Sequence, residues 1–209
     1  MDGRTEKRLR TRAAAELVAS LLLGAALGIL AKYSDTVAYD GTVGAAVWRL
    51  ASQITTHIGV WVVLAVALAA ASTTSWLAGV KPVLFLESMV AAYYIYQHAL
   101  YGFWGEKYII FWGVLGLLGA PLGALTWHAR RPGWLGALGT AAPVAVLAWS
   151  GKNFWYAPQA PTVLCVAAAL VVFFVLPQPK NLVQYGRAAL LAAVLFVVCE
   201  ATAGRFLAF

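Results

Sequence analysis

The chain has 209 residues, of which 62% are hydrophobic and only 11% are charged. An ordinary soluble domain has roughly 25% charged residues, so this composition excludes a disordered chain and a typical water-soluble enzyme. The net charge of +7 does not indicate a nucleic-acid partner, because the Lys and Arg residues punctuate the ends of apolar runs instead of forming one basic face. The composition therefore predicts a multi-pass membrane protein.

Seven apolar runs of membrane-spanning length follow one another along the chain, since a helix needs about 20 residues to cross a bilayer. They predict an all-α transmembrane bundle in a single domain over residues 1–209. Helices are expected because backbone in lipid must satisfy its own hydrogen bonds. The approximate spans are 13–33, 58–75, 82–101, 108–128, 134–150, 161–177 and 187–208. If the last run only lies in the interface, six spans remain.

Residues 1–12 form a basic segment that precedes the first span. We interpret this span as retained and not as a signal peptide, because Gly24 and Gly28 interrupt it and no clear cleavage site follows. A cytoplasmic N-terminus places ten Lys and Arg residues on the cytoplasmic side and five on the other, as the positive-inside rule requires. The pattern predicts a bacterial cytoplasmic-membrane protein with a basic cytoplasmic tail and the lipid bilayer as its partner.

The longest connection, 34–57, is predicted to contain an amphipathic helix in its second half. Val47, Ala51 and Ile54 share one face of that helix. We expect a bend near Gly59, because an unbroken helix to residue 75 would be longer than the apolar core of the bilayer. The helix is either a lid over an outer pocket or a short segment lying in the headgroup region.

Glycines at regular spacing indicate close helix contacts in lipid. The first span has Gly24 and Gly28, and the fourth has a longer series: Gly113, Gly116, Gly119 and Gly123. These glycine faces predict contacts within the chain, contacts in a homo-oligomer or contacts with a membrane partner. Pro121 is expected to kink the fourth span.

The third span carries a polar stripe made of Glu87, Tyr94, His98 and Tyr101, which share one helical face. Ionisable side chains inside a span are costly and are by default interpreted as functional. Two interpretations are open. The stripe is the wall of a solute path or binding site, or it is a set of hydrogen bonds between helices that fixes their packing.

Aromatic residues are concentrated on the predicted outer side. Trp104, Trp155 and Tyr156 are expected to close a substrate-binding site above the polar stripe, in an aromatic mouth suited to a flat or cationic solute. An ordinary interfacial belt of aromatic residues is the alternative.

The last span contains Glu200, which we expect to face the bundle in a structural ion pair with Lys32 or Arg205. The two cysteines, Cys165 and Cys199, lie inside apolar runs without metal-ligand spacing, so they predict free thiols and no metal or cofactor.

Four runs carry a resemblance: GILAKYSDTV (28–37), IGVWVVLA (58–65), AAYYIYQHALYGFW (91–104) and YIIFWGVLGLLGAPLGALTWHARRPGW (108–134). They resemble an uncharacterised family of small multi-span bacterial membrane proteins, classed as a domain of unknown function and common in Firmicutes. The resemblance implies the fold and no activity. The chain's size, long outer segment and aromatic mouth also resemble the substrate-binding subunits of energy-coupling-factor transporters, although seven spans depart from their six.

The function predicted first is binding or transport of a small solute from the outer face. A non-transporting scaffold or partner-binding subunit is the alternative. No P-loop, nucleophile elbow, HExxH motif or pair of catalytic carboxylates is present in the sequence, so nothing in it argues for an enzyme.

Overall fold

The computed structural model describes the backbone of residues 3–38 and 40–206, and the side chains of residues 10–38 and 40–202. Within these ranges every regular element is helical, which confirms the all-α prediction. The α-helices are α1 (Gly3–Thr36), α2 (Val43–Thr55), α3 (Ile58–Ala70), α4 (Ser75–Tyr101), α5 (Glu106–Leu117), α6 (Gly119–Trp127), α7 (Trp134–Ser150), α8 (Ala160–Val175) and α9 (Leu182–Phe206). The 3₁₀ turns His128–Arg130 and Lys152–Trp155 flank α7.

Four helical segments in the described part of the chain are long and apolar enough to span a membrane: Arg10–Thr36, Ser75–Tyr101, Glu106–Arg130 and Leu182–Thr202. The pair α2 and α3 makes a fifth candidate, although the two helices are bent by 61°. The apolar helices α7 and α8 have 17 and 16 residues, or about 25 Å of helix, against an apolar core of about 30 Å. The structure thus gives four to five candidate spans where the sequence predicts seven.

The surface of the bundle is apolar and parts of its interior are small or polar. On α1, Leu22 and Ile29 are exposed, whereas Ser20, Gly24 and Gly28 are buried. On α9, Val194 and Val197 are exposed while Gln184 is buried. Large apolar side chains on the outside and small or polar ones inside are what helices packed in lipid require.

Helices α1 and α4 run parallel, since Glu16 lies beside Lys81 near their starts and Lys32 lies beside Gln97 near their ends. The pair α5–α6 runs antiparallel to α4, because Gly123 of α6 packs on the backbone of Ala78 near the start of α4.

The second half of the chain continues this alternation. The start of α3 lies beside the end of α7 at Gly59 and Ser150, and Arg130, just before α7, donates hydrogen bonds to the carbonyls of Ala70 and Ser72 at the end of α3. Helix α8 begins where α7 ends. Helix α9 runs parallel to α7, since Gln184 near its start accepts a hydrogen bond from Gly133 just before α7, and Glu200 near its end accepts one from Lys152 just after α7.

We call the end of the bundle at which α1, α4, α7 and α9 begin the amino-terminal face, and the other end the opposite face. Among the described side chains, the cations near the amino-terminal face are Arg10, Arg12, Lys81, Arg130, Arg131, Lys180 and Arg187. Those near the opposite face are Lys32, Arg49, Lys107 and Lys152. The described backbone of the basic segment 1–12 is helical, because α1 begins at Gly3.

The bend predicted near Gly59 lies at Thr56 and His57, between α2 and α3. The Nδ1 atom of His57 accepts a hydrogen bond of 3.2 Å from the backbone N–H of Gly59 and so caps α3. Glycine is needed at position 59, since a Cβ there would lie 2.1 Å from the Sγ atom of Cys165. The break in the fourth predicted span falls at Leu118, next to the position whose helical hydrogen bond Pro121 removes.

The amphipathic helix predicted within 34–57 is α2, but it packs through another face than the predicted one. Ala45 and Thr55 are buried, and Trp48 packs edge-on against Tyr33 of α1 with ring centroids 4.9 Å apart. Val47, expected on the buried face, is 60% exposed. Polar contacts hold the packed face against α1, since Ser52 donates a hydrogen bond to Asp35 and Thr55 lies within hydrogen-bond distance of Ser34. Val43, Val47 and Leu50 are exposed, as in a helix that lies in a headgroup region.

Candidate functional site

Two neighbouring cavities lie beside α4. Both are bordered by α3 and α5, and one of them also by α1. The polar cavity, of about 220 Å³, is lined by Ala31, Asp35, Thr56, Trp61, Met89, Val90, Tyr93, Tyr94 and Trp112. The apolar cavity, of about 260 Å³, is lined by residues of α3, α4, α5, α6 and α7. Trp61, Met89, Val90 and Trp112 belong to both walls, so the two cavities adjoin.

Trp61 and Trp112 stand at the boundary between the cavities. Their rings meet edge to face with centroids 5.3 Å apart. The indole N–H of Trp61 donates a hydrogen bond of 2.6 Å to the carbonyl of Thr55, which fixes the ring at the α2–α3 bend. The bend therefore has a local consequence, because it places one of the two rings that separate the polar cavity from the apolar one.

Asp35 organises the mouth of the polar cavity. Its carboxylate accepts hydrogen bonds from the hydroxyl of Ser52 on α2 and from the hydroxyl of Tyr93 on α4, the latter at 2.9 Å. Asp35 is exposed, so the mouth reaches the surface at the opposite face. A carboxylate has about four acceptor positions, and two hydroxyl donors leave capacity for a further donor.

Lys32 lies one turn before Asp35 and is buried, with 8% of its surface exposed. Its ammonium donates to the Oε1 atom of Gln97 at 3.3 Å and lies 5.0 Å from the ring centroid of Tyr93 and 5.1 Å from that of Tyr101. Two aromatic faces and one amide thus hold this cation. The ammonium is not part of either cavity wall.

The apolar cavity contains no charged side chain among the residues that line it. Val62, Ala65 and Val66 of α3 face Leu86 of α4 and Val146 of α7 across it. Such a wall favours an apolar body and gives no counter-charge for an ion.

The polar stripe predicted on α4 is divided by the structure. Tyr94 is buried and lines the polar cavity. Glu87, predicted to face a bundle interior, packs against α5 instead, since a Cβ on Gly116 would lie 2.4 Å from its Oε1 atom. His98 stacks on Trp104 with ring centroids 4.2 Å apart, and Tyr101 covers Lys32.

The predicted stripe is therefore not one cavity wall, because its upper part turns toward the loop that joins α4 to α5. Of its members only Tyr94 lines one of the two cavities described above. Glu87 packs against α5 and His98 packs against the loop that joins α4 to α5. The buried Oε1 atom of Glu87 and the buried Nδ1 atom of His98 have no hydrogen-bond partner among the described residues, so these two side chains do not form the hydrogen bonds of the packing interpretation.

The aromatic mouth predicted from Trp104, Trp155 and Tyr156 is not formed as expected. Trp104 is exposed and stacked on His98, while Trp155 and Tyr156 are 81% and 91% exposed after α7. None of the three lines either cavity. The rings that do so are Trp61, Tyr93, Tyr94 and Trp112, which lie inside helices where hydropathy alone does not separate a cavity wall from a lipid-facing ring.

The ion pair predicted for Glu200 has a different partner. Its carboxylate accepts hydrogen bonds from the ammonium of Lys152 at 2.6 Å and from the indole N–H of Trp149 at 2.9 Å. Lys32 is held by Gln97 instead, and the side chain of Arg205 lies outside the described residues. Glu200 pairs with Lys152 because α9 runs parallel to α7, which brings the ends of both helices together.

The predicted glycine faces are occupied within the chain. A Cβ on Gly24 would lie 2.0 Å from the carbonyl oxygen of Phe85, and one on Gly28 would lie 2.2 Å from that of Met89. The fourth-span glycines Gly113, Gly116, Gly119 and Gly123 likewise face α4. The glycine faces therefore form contacts within the chain, which is one of the three predicted uses. Cys165 and Cys199 are free, as expected.

Asp35 was missed by sequence reasoning, although a signal for it exists. Gly24, Gly28 and Asp35 follow the spacing i, i+4 and i+11, so they share the face of α1 that packs on α4. Extending the glycine face by two turns places Asp35 beside the adjacent tyrosines of α4.

Comparison with protein-family models, with curated proteins and with solved structures finds no match to this chain. The resemblances described from the sequence therefore stay predictions, and the candidate site rests on its own geometry.

Proposed function

We propose that this chain is an integral membrane protein that binds a small amphipathic solute in its paired cavities. The solute enters from the opposite face, with its polar group at the mouth beside Asp35 and its apolar body directed past Trp61 and Trp112. Binding from that face is the first step either of transport or of solute capture for a partner.

The observation that carries this proposal is the adjacency of a polar cavity and an apolar cavity that share four wall residues. An amphipathic molecule fits such a pair, because its polar end can lie in the polar cavity and its apolar end in the apolar one. The volumes also fit, because an apolar cavity of about 150 Å³ already holds benzene and each cavity here is larger, at about 220 and 260 Å³.

For the membrane arrangement we propose seven crossings with the N-terminus in the cytoplasm of a bacterial cell. The alternating directions of α1, α3, α4, α5–α6, α7, α8 and α9 support this arrangement, and so do the seven described cations near the amino-terminal face against four near the opposite face. The 3₁₀ turn after α7 and the loops at both ends lengthen the short crossings α7 and α8.

The alternative is a scaffold in which the polar side chains only hold helices together. The contacts of Glu87 and His98 with the α4–α5 hairpin favour it. A scaffold has no use for a cavity with a carboxylate at its mouth, and a scaffold should not bind a small molecule there.

The test uses the full-length protein in lipid nanodiscs and measures the binding of 2-phenylethylammonium and 2-phenylethanol by isothermal titration calorimetry, with empty nanodiscs subtracted. Ala65 lines the apolar cavity, whereas Ala67 is exposed on the same helix, so Ala65→Phe fills the cavity and Ala67→Phe is the matched control. We expect saturable binding of at least one probe to the wild type and to Ala67→Phe, and its loss in Ala65→Phe. Absence of saturable binding, or equal binding by both variants, contradicts the proposal.

The arrangement in the membrane is tested by cysteine labelling in intact cells, in a background without Cys165 and Cys199. A cysteine at exposed Asn153 should react with a membrane-impermeant maleimide, and one at exposed Pro132 should react only after lysis. The reverse pattern excludes a cytoplasmic N-terminus with this arrangement of helices.

A further inference from the structure

The polar cavity has the composition of a cation site. Of the described residues that line the two cavities, Asp35 is the only charged one, and it lies at the mouth. The same wall contains four aromatic side chains, Trp61, Tyr93, Tyr94 and Trp112. A carboxylate in a wall with aromatic side chains attracts an ammonium group and repels an anion.

From this arrangement we infer that the bound solute is an organic cation: an ammonium group held at Asp35 and an apolar body of about one ring that extends toward Trp61 and Trp112. The inference rests on the proposed function and specifies the class of solute that the same site takes.

The hydrogen bonds at Asp35 prepare the carboxylate for this role. The hydroxyls of Ser52 and Tyr93 approach it from α2 and α4, so the side chain is held between three helices. Both donors are neutral and do not cancel the carboxylate charge. The acceptor positions that remain suit a primary ammonium, which has three N–H donors.

The nearby cation Lys32 does not fill this site. Its ammonium is directed at Gln97 and at the rings of Tyr93 and Tyr101. Tyr93 therefore serves both charges, since its ring faces Lys32 and its hydroxyl binds Asp35. Because the ring of Tyr93 faces Lys32, the other aromatic side chains of the polar cavity wall are Trp61, Tyr94 and Trp112.

The experiment compares three probes of similar size and different charge: 2-phenylethylammonium, 2-phenylethanol and 3-phenylpropionate. Their dissociation constants are measured by calorimetry in nanodiscs of neutral lipid, on the wild type, on Asp35→Asn and on Asp40→Asn. Asp40 is an exposed carboxylate that lines neither cavity, so its variant controls for a general change of surface charge.

We expect the wild type and Asp40→Asn to bind the ammonium probe roughly tenfold or more tightly than the alcohol, as an ion pair combined with a cation–π contact predicts. In Asp35→Asn the preference should disappear. The phenylpropionate should bind most weakly to the wild type.

The outcomes separate this inference from the proposed function. If the wild type binds 2-phenylethylammonium and 2-phenylethanol equally well, the cation inference is overturned and solute binding still stands. The same holds if Asp35→Asn keeps the preference for the ammonium probe. Failure of all three probes overturns both. If Asp35→Asn does not fold, the order of the three probes on the wild type still decides, because a preference for the alcohol or the carboxylate contradicts the inference.

Discussion

The two sides of α4 are built from similar residues but packed differently. On the side of α1, Gly24 and Gly28 bring the backbones of two helices into contact. On the side of α5 and α6, Gly116, Gly119 and Gly123 also face α4, yet the apolar cavity opens beside them. The polar cavity adjoins it at Trp61 and Trp112 and reaches α1 only beyond the glycine contacts, at Ala31 and Asp35.

The difference comes from what else lies on each side. The α1–α4 seam has two continuous parallel helices, so the glycine contacts repeat along their length. On the other side α2–α3 is bent at His57 and α5–α6 is broken at Leu118, and the bulky Trp61 and Trp112 hold the interrupted helices apart. Close packing at one seam supplies rigidity, and the interruptions at the other leave room for a ligand.

The largest effect is expected from disrupting the closely packed α1–α4 seam. In Gly28→Leu the added side chain meets the backbone of Met89, which cannot rotate away, so α1 must separate from α4. We expect a loss of ~3 kcal/mol or more, seen as a large drop in thermal midpoint or as aggregation in detergent. Gly186→Leu on α9 is the control, since nothing lies within 4 Å of a Cβ there. Equal midpoints for the two variants would show that the seam is not closely packed.

A second comparison concerns the two buried lysines at the ends of the same seam. Lys81 lies 3.2 Å from the carboxylate of Glu16, whereas Lys32 forms no ion pair with a described side chain. We expect Lys81→Met to cost about 1–2 kcal/mol, less than a fully buried pair because Glu16 keeps Arg12. Lys32→Met should cost less, because no carboxylate is left behind.

Lys32→Met has a further expected result, since it removes a positive charge from the neighbourhood of Asp35. It should bind 2-phenylethylammonium at least as tightly as the wild type does. Weaker binding by Lys32→Met, or equal destabilisation by the two lysine variants in chemical unfolding, would contradict the different roles given to these residues.

A smaller effect is expected from Gly116→Ala, on the side of α4 that faces α5 and α6. Its methyl group meets the Oε1 atom of Glu87, the end of a flexible side chain, rather than backbone. The carboxylate can move, so the cost should stay near 1 kcal/mol, well below that of Gly28→Ala, whose methyl group meets a backbone carbonyl. Thermal midpoints of the two alanine variants measured side by side test this, and a reversed order would contradict it.

The smallest effect concerns the loop before α2. The hydroxyl and backbone N–H of Thr42 donate hydrogen bonds to Asp40 and hold the pKa of that carboxyl below its usual range, and Thr42 itself caps α2. Because the pKa is lowered in the folded state, this contribution is present above the usual pKa of an aspartate, about 4, and is lost as the pH falls through the lowered value. The protection of the α2 amides, taken relative to the intrinsic exchange rate at each pH, should therefore fall on acidification in the wild type and depend less on pH in Asp40→Asn. The same pH dependence in the wild type and in Asp40→Asn would show that Asp40 does not stabilise the start of α2.

The sequence predicts the helices well because apolar runs and charged ends depend on local composition. The run 134–150 coincides with α7, and the bend near Gly59 follows from length alone. Helix directions and partners are not local, which is why Glu200 pairs with Lys152 and not with Lys32.

The candidate site is harder to predict because its wall depends on which helices are interrupted. The polar stripe of α4 is real as a helical face, but the antiparallel α5 covers Glu87 and leaves Tyr94 at the cavity. The rings of Trp61 and Trp112 become a cavity wall only through the bend and break beside them.

The most direct test of the central claim is a density map of the protein in nanodiscs saturated with 2-phenylethylammonium, compared with a map recorded without it. If the cavities bind the solute, the first map should show additional density between Asp35 and the Trp61–Trp112 pair, with α1 and α4 unchanged. Cavities that stay empty, or that are closed in both maps by α5 moving onto α3, would contradict it.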